Sequence, residues 1–362
     1  MSWLREHRDQ IRKGLIGAAV FGAAVVLASG VYLYRQRVAT EAEIAMRQYE
    51  SELAAENTIA SSEQTGVLKE FCFNTEDGLV EWNGKTYKRN SYTKAILVAG
   101  IDRSNEMTEE KGLGEAGQAD GIFLIAQDTA RNELKILNIP RDTITEITIA
   151  DQNGNVTGTA PDHLSLAFAY GDGRHRSGEY LTKAVSEFLQ GFEIQKYFAV
   201  DMAMISDLND AVGGVTVTIP EFGMEHADPA FVPGEQITLH GKQAESFVRY
   251  RDTNQDHSAI ARMNQHKEYI TQYFRALKQK SRENSQIVTE LFDMIENYMV
   301  TNMAKDEYMK IALDAINSDG IGTDDFKLVP GKGITTEEYD EFHANIEETI
   351  PVILELFYRE VS

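Results

Sequence analysis

Three short apolar runs frame this chain. "AILVAGI" at 95–101, "GIFLIA" at 121–126 and "ELKILNI" at 133–139 are largely continuous rather than alternating, the pattern of strands covered on both faces. Upstream, "LVEWNGKTYKRN" holds Asn83-Gly84 between two strand-like pieces, a strong hairpin signal. Helical periodicity follows. Leu181, Ala184, Val185, Phe188 and Leu189 share one face, and Ile205, Leu208, Ala211 and Val212 precede Gly213, a C-cap candidate. "VTVTI" at 215–219 reads as another strand, and helices are predicted at 259–280, 286–300, 306–317 and 337–358, the last interrupted at Pro351. Strands and helices mixed in this order predict an α/β (α-β-α) domain over 66–362, with a central mixed sheet flanked by helices on both faces.

A different pattern precedes this domain. Gly14 to Tyr34 is 21 residues without a charge, about the length a hydrocarbon core requires of a transmembrane helix. Arg5, Arg8, Arg12 and Lys13 lie before it and Arg35 and Arg37 after it, a bias that predicts a cytoplasmic tail at 1–13 and everything past the helix outside. Residues 35–65 read as a stalk and linker: 38–65 are rich in Ala and Glu, lack Gly and Pro, and become Ser/Thr-rich.

Charge narrows the function classes. A formal net charge of −22 speaks against a nucleic-acid partner, because polyanion binding rests on clustered Lys and Arg. Any anionic ligand must be held by a local group of arginines that overcomes the overall field. Cys72 is the single cysteine, so there is no intrachain disulfide framework and no cysteine zinc site.

Such a group exists at the strand ends. If the three apolar runs pair as consecutive antiparallel strands, Asp102 follows the first, Asp120 precedes the second, and Arg141-Asp142 follow the third after Pro140. Two converging aspartates suit Mg²⁺, which takes one or two protein carboxylates plus phosphate oxygens, and an arginine fork matches phosphate. A second cluster lies in 241–267. Arg249 and Arg251 fall near a helix C-terminus, and a new helix starts after a polar turn, with Asp256 or Ser258 as cap and Arg262 and Gln265 in its first two turns. Helix N-termini favour anions, so a diphosphate suits this place. Blander readings stand beside these: Arg249 and Arg251 as dipole complements, Arg141-Asp142 as a structural ion pair, and Asp102 and Asp120 as turn caps. His163, His240, His257 and His266 show no metal-ligand spacing and read as surface or structural. The Ile270/Tyr273/Phe274/Leu277 stripe reads as core first and lipid-pocket wall second.

From Tyr92 to Gln265 the chain resembles the LytR-CpsA-Psr family of Gram-positive cell-wall enzymes. The resemblance rests on "ILVAGIDRS", "ADGIFLIAQD", "KILNIPRDT", "HLSLAFAYGDG", "YFAVDMAMISDLNDAVGGVTVTIP", "LHGKQAESFVRYRD" and "IARMNQ", in this order. It implies a single-pass cell-membrane protein of a Gram-positive type envelope. The implied reaction moves a glycosyl phosphate from a polyprenyl-pyrophosphate-linked glycan donor to a peptidoglycan acceptor, with a deep apolar channel for the polyprenyl chain. Carried over by position, the resemblance implies that Asp102 and Asp120 hold Mg²⁺, that Arg141, Arg249, Arg251, Arg262, Gln265 and Gln118 bind the pyrophosphate, and that Arg141, its companion Asp142 and Asp102 are the catalytic candidates. Asp102 is also a candidate base. Two positions depart from the family: Gln118 stands where it has arginine before the second strand, and Ala259 where an arginine follows the turn. Two functions follow, a membrane-anchored phosphotransferase, or a non-catalytic relative that binds lipid-linked wall precursors or regulates envelope assembly.

Overall fold

The structure, a computed structural model, describes residues 71–361 apart from 76, 111–113, 221–223, 252–257, 319–320 and 337–338, and without the side chains of 258–261 and 323. The expected tail, membrane helix and stalk at 1–65, the Asp256 cap and the Ala259 side chain lie outside these residues. Among the described residues no helix is long and apolar enough to cross a membrane.

β1 (Leu79–Trp82) and β2 (Lys85–Arg89) form the hairpin expected at Asn83-Gly84. Both turn residues have positive φ, 50° and 73°, the geometry that an Asn-Gly turn accommodates. β3 (Thr93–Ile101), β4 (Ala119–Asp128) and β5 (Glu133–Ile139) then pair as consecutive antiparallel strands, with Gly100 opposite Gly121 and Ile122 opposite Ile139. Asp120 falls inside β4 as its second residue rather than before it. β6 (Ile144–Ala150) and β7 (Val156–His163) make a separate ribbon, followed by α1 (His175–Phe188) and β8 (Lys196–Asp201), which lies parallel to β3.

After α2 (Ile205–Ala211), β9 (Val215–Thr218) pairs only with β10 (Gln236–Leu239), so "VTVTI" forms a strand outside the central sheet. Then come α3 (Lys242–Arg249), α4 (Ser258–Glu283) and α5 (Ile287–Ile295). The helix expected over 286–300 ends at Ile295, because β11 (Met299–Thr301) joins the sheet edge against β8. α6 (Lys305–Asn317) leads to β12 (Phe326–Leu328), which runs parallel to β5. The helix expected over 337–358 is also corrected. Its first part is β14 (Asp340–Ala344), paired with β13 (Gly331–Thr335), and α7 (Ile346–Phe357) passes through Pro351 before β15 (Tyr358–Val361) returns to β2. Pro351 lies on the exposed face, where the carbonyl deprived of its N–H partner can meet water.

The central sheet has the order β11-β8-β3-β4-β5-β12, with parallel and antiparallel neighbours. Helices cover both faces. Gln127 donates to the Ile311 carbonyl (3.3 Å), which sets α6 over the face bearing Phe123 and Ile125. On the other face Lys135 and Lys327 both reach Glu355 of α7, at 3.8 and 3.1 Å. α1 joins α7 on that second face, where Gly178 lies against Tyr197. A Cβ at Gly178 would sit 2.3 Å from the buried Tyr197 ring. Gly178→Ala is therefore expected to cost about 1–3 kcal/mol through overpacking, read as a lower thermal midpoint with the fold's circular dichroism retained below it.

Candidate functional site

Three strand ends and one helix end converge. Asp102 leaves β3, and its backbone N–H donates to the Gln118 carbonyl (2.8 Å), tying the exit of β3 to the entry of β4. Pro140 ends the β5 ladder, and the turn behind it is closed by Thr143, whose N–H and hydroxyl both donate to the Pro140 carbonyl (3.1 and 2.6 Å). That turn aims Arg141 across β4. Its guanidinium pairs with Asp120 and, through Nε, with Asp142 Oδ1 at 3.0 Å. Asp142 in turn faces Arg251 (Oδ2–Nη1, 3.6 Å), and Arg251 also pairs with Asp340. Arg249, the last residue of α3, pairs with Asp102 and with Glu245 one turn back (3.3 Å). Asp102, Asp120, Arg141, Asp142, Arg249 and Arg251 are thus drawn into two sets of ion pairs, one running from Asp120 through Arg141, Asp142 and Arg251 to Asp340 and the other joining Asp102, Arg249 and Glu245.

Arg262, in the second turn of α4, differs from the other arginines. It is partly buried and has no ion pair among the described residues. Burial, followed by repulsion from Arg141, lowers its pKa, and Arg251 adds to that repulsion while Asp120 and Asp142 oppose it. Burial acts on Arg141 too, but Asp120 and Asp142 outweigh it and raise its pKa. A partly buried guanidinium crowded by two others is electrostatically costly until an anion joins it. Gln118 contributes its carbonyl at the Asp102 turn. The Gln265 amide nitrogen is directed to the Met224 sulfur (2.7 Å), and its buried Oε1 has no hydrogen-bond partner among the described residues.

Two carboxylates escaped the sequence reading. Asp340 was hidden in a segment read as helix. Asp201 ends β8 opposite Ile101, fully buried. One of its oxygens accepts the Ala203 N–H (2.8 Å) and the other has no partner among the described residues; burial raises its pKa, outweighing the Ala203 N–H, Arg103 and Arg249, which lower it. A strand-terminal aspartate in parallel register with the exit of β3 was the available signal.

Magnesium chemistry fits this donor set within limits. Asp102 and Asp120 come from neighbouring strand ends, and the Asp102 side chain is 45% exposed. Among the described residues no group of three or more His, Cys, Asp or Glu side chains is placed to hold a metal ion. The pair suits a cation that completes its coordination with phosphate oxygens and water, not a cage built from protein alone.

Beside the arginines lies an apolar cavity of about 280 Å³. Its floor is the sheet face bearing Val98, Phe123 and Ile136, and its roof comes from α2 and from Tyr269, Ile270, Tyr273 and Phe274 of α4. The opposed Gly100 and Gly121 keep the floor low. A Cβ on Gly100 would lie 3.0 Å from Met202, and one on Gly121 3.1 Å from Phe123. His266, one turn after Arg262, also lines the cavity, edge-on to Phe123, with Nε2 at 3.1 Å from the Val248 carbonyl.

The LytR_cpsA_psr family model matches residues 45–349. Among similar proteins, the polyisoprenyl-teichoic acid–peptidoglycan teichoic acid transferase TagU of Bacillus cereus is 30% identical over 218 residues, 56% of this chain and 64% of that protein. TagU of Bacillus subtilis is 24% identical over 222 residues, 61% of this chain and 63% of that protein. The chain therefore matches just under two thirds of the length of these relatives. Bacillus subtilis TagV shares the fold at TM-score 0.55 and 21% identity, covering 74% of this chain and 97% of its own. A Streptococcus agalactiae protein does so at 0.57 and 19%, covering 76% and 93%. TagT, at 0.53 and 17%, covering 74% and 90%, has been solved bound to LI-WTA.

Burial, then the Arg262 charge, pushes His266 down to about 4 from its usual 6.5. A base whose pKa is depressed by folding stabilises the fold above its unfolded pKa and loses that contribution as pH falls toward the folded value. Urea denaturation is expected to show stability falling between about pH 6.5 and 4, by on the order of 3 kcal/mol from this group. His266→Gln, which keeps a donor for the Val248 carbonyl, should flatten that part of the profile. With the match spanning most of its length and the fold shared with solved relatives, the chain belongs to the LytR-CpsA-Psr family.

Proposed function

We propose that this protein is a Mg²⁺-dependent phosphotransferase anchored in the cell membrane by residues 14–34, moving a glycosyl phosphate from a polyprenyl-pyrophosphate carrier to a peptidoglycan hydroxyl. The observation that carries the reading is Arg262. A partly buried guanidinium with no carboxylate partner among the described residues stands one helical turn from an apolar cavity, which asks for a ligand with an anionic head and a hydrocarbon tail. The names of its TagU relatives support the transfer chemistry, and teichoic acid is one candidate cargo.

In this reading Arg141, Arg249, Arg251 and Arg262 hold the pyrophosphate oxygens, while Asp142 keeps Arg141 and Arg251 facing one pocket. Asp102 and Asp120 hold Mg²⁺, which when bound neutralises phosphate charge. The acceptor hydroxyl attacks the phosphorus next to the sugar, the bond from that phosphorus to the polyprenyl-phosphate oxygen breaks, and polyprenyl phosphate leaves. Asp102, the more exposed aspartate, is the candidate to take the hydroxyl proton. Phosphoryl transfer asks mainly for positioning and charge neutralisation, and these residues are suited to both. A binder of lipid-linked precursors is the second reading, favoured by Gln118, which can donate hydrogen bonds but brings no cation.

Incubating the detergent-solubilised full chain with a polyprenyl-pyrophosphate glycan, a peptidoglycan acceptor and Mg²⁺ should release polyprenyl phosphate. Arg141→Ala should lower the rate by about 10²-fold or more. Lipid bound but never cleaved by the wild type would leave only the binder. Gly121→Leu should fill the cavity floor, weakening the long-chain lipid by at least about tenfold while binding of inorganic pyrophosphate is unchanged.

A further inference from the structure

The C-terminal hairpin brings a carboxylate into the arginine cluster. Asp340, the first residue of β14, pairs with Arg251, and its carboxylate also accepts the Thr335 hydroxyl (2.7 Å) across the hairpin. Both terminal nitrogens of Arg251 thus face acids, Nη1 toward Asp142 and Nη2 toward Asp340. The two acids are held differently. The Asp142 side chain is 8% exposed, fixed at a strand end and shared with Arg141. The Asp340 side chain is 31% exposed and rides on a ribbon whose β13 strand is exposed throughout and in which Phe342 alone of the β14 residues is buried. The ribbon is tied down at Phe342, whose N–H donates to the Asp142 carbonyl (2.8 Å), and at the Asp340 carbonyl, which His163 Nε2 meets at 3.0 Å.

We propose that Asp340 is an internal counter-anion that occupies Arg251 in the resting protein and is exchanged for the ligand's phosphate. The inference rests on the reading of the arginine cluster as a phosphate site. A charge-assisted pair on Arg251 offers the guanidinium edge that a phosphate would use, so the two compete for the same donors. Asp142 is the less free to yield, because it is buried and would give up its bond to Arg141 Nε together with Arg251. Asp340 can yield, since it stands at the start of a strand on an exposed ribbon, where a carboxylate released from Arg251 meets water. Resting affinity for the donor is therefore set partly by this residue, and the hairpin loosens when an anion binds.

The test uses the full chain in detergent micelles, with inorganic pyrophosphate as probe in isothermal titration calorimetry. Asp340→Asn is expected to bind pyrophosphate about threefold to tenfold more tightly than wild type, whereas Glu341→Gln, on the same strand, leaves affinity unchanged. Limited trypsin digestion reads the second consequence without any variant. Cleavage after the exposed Lys332 should accelerate in the wild type when pyrophosphate is added, and in Asp340→Asn it should already be fast. Equal or weaker binding by Asp340→Asn, or cleavage at Lys332 indifferent to pyrophosphate, overturns this inference alone. Failure of both folded proteins to bind pyrophosphate overturns it together with the phosphate-site reading.

Discussion

The joining of the β5 end, the segment after α3 and the C-terminal hairpin depends on the way Asp142 is shared. One oxygen takes Arg141 from its own strand end, the other faces Arg251 from beyond α3, and its backbone carbonyl receives Phe342 from the C-terminal hairpin. Segments separated by about two hundred residues are therefore joined through a single buried aspartate. Burying a carboxylate is tolerable only when its lone pairs are answered, and here two guanidiniums answer them. The arrangement also keeps like charges together: Arg141 and Arg251 are each paired with acids, while Arg262 near them has no ion pair among the described residues.

The sheet explains why this convergence is robust. β3, β4 and β5 are adjacent antiparallel strands, so alternate ends fall at one rim whatever the sequence of the connecting loops. Asp102, Asp120 and Arg141 need only stand at or beside those ends to meet. The paired glycines Gly100 and Gly121, next to the same rim, then lower the sheet surface where the cavity begins.

That part of the molecule was legible because it is local: continuous apolar runs, an Asn-Gly turn and a proline each carry their own physical meaning. The misreadings were non-local. "DEFHA" becomes a strand because β13 and Thr143 are there to pair with it, and nothing within the segment records that partner. "MVT" at 299–301 leaves its helix for the same reason, capturing the free edge of β8. Asp340 is illegible for the same reason: its meeting with Arg251 depends on a hairpin that the segment alone does not specify. The stripe at Ile270, Tyr273 and Phe274 has the periodicity of any core-facing helix. That it roofs a hollow is decided by Gly100 and Gly121 on the facing strands, about 150 residues earlier in the chain.

α4 carries both Arg262 and the cavity roof at Tyr269, Ile270, Tyr273 and Phe274. A continuous helix advances about 1.5 Å per residue and resists stretching, so the cation and the apolar wall keep a constant axial separation. Breathing of the surrounding loops can tilt or slide the pair but cannot alter their spacing. The helix is in effect a ruler, graduated from a charged mark to an oily one, and a molecule read against it is gauged by the distance between its own polar and greasy parts.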